Sequence, residues 1–207
     1  MRTLRIGDVE ITSIVERDGP WRKPEAMFPA YDAVDQRLRA SLEANSAVVI
    51  AVPPSRLAAT PQVLADRYGV TPVNLTADLI REMKDIAAAS GIDWQFLLQV
   101  DAKDSDSPDR GKLSRLVATA LDRAWKSVNE ESQPLLLTDI APVARYGQLA
   151  RLAELVSLTT RRPAARWILV PRNVSDHAPT LEGQPVPLGA DGWTDLPAEM
   201  LTPAATG

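Results

Sequence analysis

The middle of the chain carries five short apolar runs, most of them separated by stretches in which apolar residues recur with helical spacing. Each run ends in polar or turn-forming residues, as a strand does where it leaves a sheet. The runs are Ala47–Val52, Thr71–Leu75, Phe96–Val100, Pro134–Thr138 and Trp167–Val170. Continuous apolar strands joined by amphipathic helices are typical of a parallel sheet buried on both faces. The pattern therefore predicts a three-layer α/β domain, with a mostly parallel five-stranded sheet and helices on both faces.

The connecting stretches predict the helices. The clearest one runs from Leu113 to Val128, where apolar residues three or four positions apart form a single stripe. Shorter helices are predicted over 60–68, between Thr76 and Gly91, and from Pro142 to Val156.

Both ends of the chain differ from the centre. Residues 1–20 alternate between apolar and polar positions around Gly7-Asp8, which predicts an N-terminal β-hairpin. The stretch after residue 178 is rich in proline and glycine, and we expect a short hairpin around Leu181–Leu188. The predicted organisation is an appendage over 1–45 (hairpin and linker), an α/β domain over 46–201 and a disordered tail over 202–207.

Composition narrows the classes of protein to consider. The net charge of −4 in 207 residues argues against a broad nucleic-acid-binding face, which needs clustered lysine and arginine. The chain has no cysteine, which excludes disulfides and thiolate chemistry. The first residues carry no apolar signal core, and no apolar stretch approaches the roughly 20 residues that span a bilayer. We expect a cytoplasmic protein without membrane contact.

The loop after the first predicted strand bears on nucleotide binding. A phosphate-binding loop needs glycines for close backbone approach, and neither GxxxxGK[ST] nor GxGxxG occurs in the chain. Pro53-Pro54 follows the first run instead, which indicates a strand ended by proline. A nucleotide-binding domain that has lost its loop is the alternative.

Acidic residues follow two of the predicted strands. Asp101 and Asp104 come after the third run, and Asp139 follows the fourth. Carboxylates at the carboxyl edge of a parallel sheet can hold Mg²⁺ against a phosphate, so these three are the candidate ligands for Mg²⁺ with a nucleotide. The alternative is a solvated turn leading into the next helix.

Two further features carry candidate chemistry. Arg145 and Tyr146 could form a small anion-binding surface, although solvated charges are the ordinary explanation of such residues. His177 is the only histidine, so a site with two or three histidine ligands is excluded.

The N-terminal residues resemble a known family. Residues 6–12 (IGDVEIT) and the stretch from Gly19-Pro20-Trp21 to Met27-Phe28-Pro29 are similar to the opening hairpin of metallo-β-lactamase-fold hydrolases. The activity of that family depends on an HxHxDH zinc motif, which this chain lacks, so no zinc ligand carries over. A degenerate hydrolase fragment is one hypothesis that this resemblance implies.

The larger part of the chain resembles a different family. Residues 135–139 (LLLTD) leading to 144–147 (ARYG), residues 167–171 (WILVP) and residues 179–188 (PTLEGQPVPL) are similar to the C-terminal α/β domain of PglW-type serine/threonine kinase proteins. The resemblance covers about 46–201, and its motifs are packing and turn motifs. Proteins of this type belong to phage growth limitation, or BREX-type, antiviral defence.

The chain contains no glycine-rich kinase loop, no HRD and no DFG, so kinase activity does not transfer. What the resemblance implies is a non-catalytic, kinase-associated module that binds a protein partner of the defence system, without a cofactor. The alternative from another class is a nucleotide-dependent enzyme or switch that uses Mg²⁺.

Overall fold

The computed structural model of the protein describes residues 2–6, 9–13, 30–102, 108–157, 159–188 and 192–201, with side chains from residue 31 onward. Its strands and helices in chain order are β1 (Arg2–Ile6), β2 (Val9–Ser13), α1 (Ala30–Glu43), β3 (Ala47–Val52), α2 (Thr60–Tyr68), β4 (Thr71–Asn74), α3 (Leu75–Ala89), α4 (Trp94–Asp101), α5 (Pro108–Glu130), β5 (Leu135–Thr138), α6 (Ala141–Arg145), α7 (Leu149–Val156), β6 (Arg166–Pro171), β7 (Thr180–Leu181), β8 (Gln184–Pro185) and β9 (Trp193–Asp195). Short 3₁₀ turns cover Pro54–Arg56 and Ala198–Leu201.

Five of these strands form one sheet, in the order β4-β5-β6-β3-β9. Every pairing within it is parallel, and β3 lies between β6 and β9. Four of the strands fall on apolar runs of the sequence. Three of them, β3, β5 and β6, are buried, as strands covered on both faces are, whereas β4 at the edge of the sheet is largely exposed. The predicted three-layer α/β fold with a five-stranded parallel sheet is confirmed.

One predicted strand is wrong. Phe96–Val100 forms most of the helix α4, not a strand. Leu97 and Val100, three positions apart, are buried on one side of that helix, and the Asp93 side chain accepts a hydrogen bond from the Gln95 N–H at its start. A five-residue apolar run is compatible with a short helix as well as with a strand. Here the Asp93 cap and the three-residue spacing of the buried positions favour the helix.

The fifth strand is β9, which lies in the proline- and glycine-rich region near the end of the chain. Its three residues pair with β3, with Thr194 opposite Ile50. The two hairpins predicted for the ends are present as antiparallel pairs, β1 with β2 and β7 with β8. Gly7-Asp8 and the predicted tail 202–207 lie outside the described residues.

Helices cover both faces of the sheet. Val49 and Ala51 of β3 face a core shared with α5, α6, α7 and the β7–β8 pair. Val48 and Ile50 face the opposite core, which α1, α2 and the turn at 198–201 complete. The single helix predicted from Pro142 to Val156 is divided into α6 and α7 by Gly147, whose φ of +69° is the left-handed conformation that ends a helix.

The helix α5 contributes residues to two hydrophobic cores. Its C-terminal half places Ala124, Trp125 and Val128 against the sheet. Its N-terminal half packs on α3 and α4 in a third core, which includes Leu113 and Val117. As a result, α3 and α4 are held partly outside the three layers.

The helix α1 precedes the predicted domain boundary near residue 46 yet contacts the sheet. Leu38 is fully buried among residues of β3 and β6. The Trp167 indole N–H donates to Ser41 Oγ at 2.8 Å. The boundary at 46 stays a prediction, but the packed unit reaches at least back to this helix.

Arg166 is the largest buried polar side chain after the tryptophan beside it, with an exposed fraction of 0%. Its guanidinium donates to five backbone carbonyls, those of Val128, Glu131, Gln133, Ala164 and Ala165. Burial lowers the pKa of this guanidinium below its ordinary value. These bonds join the C-terminal end of α5 to the starts of β5 and β6.

Replacing Arg166 should destabilise the fold strongly. Arg166→Met leaves five carbonyls without their donor, and we expect a loss of about 3 kcal/mol or more in the free energy of unfolding. Arg166→Lys should fall between this variant and the natural chain, since an ammonium group has fewer donors. Urea unfolding measures the difference, with Arg161→Met at an exposed position as the control, expected within about 0.5 kcal/mol. Equal stability of the two methionine variants would contradict the role given to Arg166.

Candidate functional site

The carboxyl ends of the parallel strands meet at one edge of the sheet, where open α/β sheets bind ligands. The favoured crevice lies between neighbouring strands whose connections leave toward opposite faces. Here those strands are β6 and β3, because β3 leads into α2 on one face and β6 leads toward β7 and β8 on the other. This is the place where a nucleotide-binding relative would hold phosphate.

Internal contacts occupy that crevice. Pro53 and the 3₁₀ turn at Pro54–Arg56 follow β3. Arg172, directly after β6, donates to Asp195 Oδ1 at 2.8 Å and to the Asp176 carbonyl at 2.8 Å. Its guanidinium also lies 5.3 Å from the centre of the Trp193 ring. A phosphate that used Arg172 would have to displace the Asp195 carboxylate.

Asp139 lies at the end of β5, as the sequence predicts, in a left-handed conformation with φ of +50°. Its Oδ2 accepts a hydrogen bond from Asn74 Nδ2 at 2.6 Å. Its carbonyl accepts one from Thr76 Oγ1 at 2.5 Å. The Asn74 Oδ1 caps α3 by accepting from the Ala77 N–H at 2.9 Å. Asp139 therefore ties the end of β5 to the start of α3.

Asp101 lies at the C-terminal end of α4 and not at the sheet edge, because the segment before it is a helix. Its Oδ1 accepts from Arg110 Nη1 at 3.0 Å and from the Tyr146 hydroxyl at 2.8 Å. Its Oδ2 accepts from Arg145 Nη2 at 2.8 Å. Arg110 also donates to the Asp101 carbonyl at 2.5 Å. We call these four side chains the Asp101 cluster.

Tyr146 is the aromatic member of the cluster. The guanidinium carbons of Arg110 and Arg145 lie 5.9 and 5.8 Å from its ring centre. Burial, with the hydrogen bond to Asp101 as the next cause, raises the pKa of the Tyr146 hydroxyl to about 12. The phenol is therefore a neutral donor at physiological pH.

An apolar cavity of about 210 Å³ adjoins the Asp101 cluster. Its lining residues come from α3, α4, α5, α6 and the residue after α6; they are Thr76, Leu79, Ile80, Met83, Trp94, Leu97, Leu98, Asp101, Leu113, Pro142, Arg145 and Tyr146. Polar side chains thus meet a largely apolar wall, which is the usual make-up of a binding pocket.

The structure brings three of the predicted site residues together and separates the others. Asp101, Arg145 and Tyr146 share one cluster, although they were predicted as parts of two different sites. Asp139 bonds Asn74 and Thr76, and Asp104 lies outside the described residues. Within the described part of the chain, no three acidic, histidine or cysteine side chains are grouped so that they could hold a metal ion.

Sequence reasoning missed Arg110 and the apolar walls of the cavity. Arg110 reaches Asp101 across the segment 103–107, and no spacing rule connects a helix start to the end of the preceding helix. From the sequence, the wall residues Met83 and Leu97 are indistinguishable from ordinary core residues, because helical spacing places each of them on a buried face.

The chain is similar to the probable kinase PglW of Streptomyces coelicolor, with 26% identity over 147 aligned residues. The alignment covers 64% of this chain and 9% of that protein, so the chain spans less than a tenth of the length of this relative. The similarity supports a PglW-related region without fixing which part of such a protein it corresponds to. No protein-family profile and no solved structure matches the chain.

None of the helices in the described ranges is both long enough and apolar enough to cross a bilayer. This agrees with the composition, which lacks a long apolar run.

The raised pKa of Tyr146 predicts a pH dependence of stability. The neutral phenol is favoured in the folded state, so its contribution is complete below the ordinary pKa of 10.0 and is lost as the pH rises toward about 12. We expect the stability difference between the natural chain and Tyr146→Phe to be constant up to about pH 9 and to shrink above pH 10. Urea unfolding across that range measures it. Absorbance titration of both proteins identifies the phenol that the substitution removes. If the phenol missing from Tyr146→Phe ionises near pH 10 in the natural chain, the prediction is contradicted.

Proposed function

We propose that this chain is a non-catalytic interaction module of an anti-phage defence system, which binds a protein partner from that system. The observation that carries the proposal is the exposed apolar surface on α3 and α4. Ile80 and Leu98 line the cavity there and are each more than a third exposed, and Phe96 of α4 is exposed as well. Large apolar side chains left exposed at the mouth of a cavity are typical of a surface that another protein covers.

The polar groups predicted for the site, together with Arg172, support the same proposal. Asp101 has three side-chain donors, Asp139 bonds Asn74, and Arg172 bonds Asp195. Each of these groups therefore holds two elements of the fold together.

The defence context comes from the similarity to the probable kinase PglW. Kinase motifs are absent from the sequence, so the proposal gives this chain an accessory role beside a kinase rather than kinase activity. The finer assignments belong to the proposal as well. They are a match of 46–201 to the C-terminal α/β domain of such proteins, a BREX-type system and a cytoplasmic site of action.

Affinity capture from the native host tests the proposal. The tagged chain should enrich a PglW-type kinase or another product of the same defence system, identified by mass spectrometry. A second tagged protein of similar size and net charge is the control. If the defence proteins are expressed and none is enriched over this control, the proposal is overturned.

A nucleotide-dependent switch with Mg²⁺ is the second candidate. The observation that favours it is the all-parallel sheet, which places Thr138-Asp139 at the carboxyl edge near the crevice between β6 and β3. Asp139 would hold the cation, with Asp101 and Asp104 as the other acids that the sequence suggests.

Thermal unfolding with ATP or GTP and MgCl₂ separates the two candidates. A switch should gain about 2.7 kcal/mol in stability at a ligand concentration 100 times the dissociation constant. That gain should vanish in Asp139→Asn and persist in Asp66→Asn, an exposed control on α2. Under the interaction proposal, the melting temperature stays unchanged at millimolar nucleotide.

A further inference from the structure

Exposed large apolar side chains concentrate at one place in the described part of the chain. Four of the five lie on α3, on α4 or just before α4; they are Ile80 (39% exposed), Ile92 (37%), Phe96 (43%) and Leu98 (47%). The fifth, Val174, lies in the loop after β6. Two of them, Ile80 and Leu98, meet at the cavity, and exposed apolar residues grouped in this way mark a surface that is used.

The cavity opens at this surface. Ile80 and Leu98 stand on its rim and are exposed, whereas Leu79, Leu97 and Leu113 form its floor and are buried. Its volume is about 210 Å³. A dry apolar cavity of roughly 150 Å³ is large enough for benzene. The space therefore suits one large apolar side chain, such as phenylalanine or leucine.

Cationic side chains lie beside both aromatic walls of the cavity, Trp94 and Tyr146. Lys84 Nζ lies 5.4 Å from the Trp94 ring centre, and Arg110 and Arg145 lie over Tyr146. Among the described residues that line the cavity, Asp101 is the one acid, and it is already bonded to Arg110 and Arg145. An arriving acidic group therefore meets exposed cations rather than a free carboxylate.

Arg145 is placed to receive a further acid. Its side chain is 49% exposed and its contact with Asp101 uses Nη2. A guanidinium has five N–H donors, so others can bond a carboxylate that arrives at the cavity mouth.

We infer that the cavity between α3, α4 and α6 docks an acidic segment of a partner protein. The segment inserts one large apolar side chain into the cavity and places a neighbouring carboxylate against Arg145. This inference rests on the proposed function, since it names the surface and the chemistry of the partner that the module binds.

Small probes test the chemistry of the site directly. The two probes are 3-phenylpropionate and 2-phenylethylamine, which have similar rings and opposite charges. NMR shifts of the Met83 methyl and Trp94 indole groups measure their dissociation constants. We expect the anion to bind at least 10-fold more tightly than the cation, and Arg145→Gln to weaken binding of the anion several-fold. Equal binding of both probes, or no binding at either reporter group, would overturn the inference.

Partner capture with matched variants places the docking surface. Leu98→Glu should reduce recovery of the defence partner at least 10-fold, because it sets a carboxylate at the mouth that an acidic segment approaches. Val174→Glu changes an even more exposed apolar residue elsewhere and should leave recovery unchanged. Circular dichroism confirms that both variants fold.

The possible results separate this inference from the proposed function. If the natural chain and Leu98→Glu capture the partner equally, the docking site is wrong and the interaction module stands. If the natural chain captures no defence protein while its cavity still prefers the anionic probe, the proposed function fails and the chemistry of the site stands. If the natural chain dimerises and Leu98→Glu abolishes the dimer, a second copy covers the surface and the inference is overturned.

Discussion

The burial of Arg166 is the constraint on which the rest of the structure depends. A fully buried guanidinium is costly unless its donors are satisfied, and here backbone carbonyls satisfy them. Two of these carbonyls, those of Val128 and Glu131, lie in or directly after the last turn of α5, where the helix dipole favours a positive charge. The geometry is met only when α5, β5 and β6 are all in place.

That position of α5 determines where the cavity forms. The C-terminal half of the helix is fixed against the sheet, so its N-terminal half extends past the layers and supports α3 and α4. Arg110 at its beginning reaches Asp101, and Leu113 forms part of the cavity floor. The Asp101 cluster thus joins the end of α4 to the start of α5 and the end of α6.

Polar and apolar groups have divided roles in this molecule. The carboxyl edge of the sheet, where α/β proteins usually bind ligands, contains pairs such as Arg172 with Asp195 that bond each other. The surface that no other part of the described chain covers is instead the apolar one on α3 and α4. This division is the physical reason for proposing a partner protein rather than a reaction.

The sequence by itself determined the layered α/β fold and four of the five sheet strands. For β3, β5 and β6 the reason is that apolar runs at strand length need cover on both faces whatever their partners, whereas β4 is a largely exposed edge strand. It determined α5 as well, through a stripe that continues for more than four turns. It misassigned Phe96–Val100, since five apolar residues carry too few periods to separate a strand from a short helix.

Only the tertiary structure decided the rest. The strand β9 exists because β3 offers it a free edge, and its own three residues have no strand pattern. Asp101 meets Arg145 and Tyr146 across more than forty residues of chain, so no local rule could have joined them. The exposure of Phe96 and Leu98 likewise depends on which side of α4 packs against α5, and packing of that kind is settled by the assembled core alone.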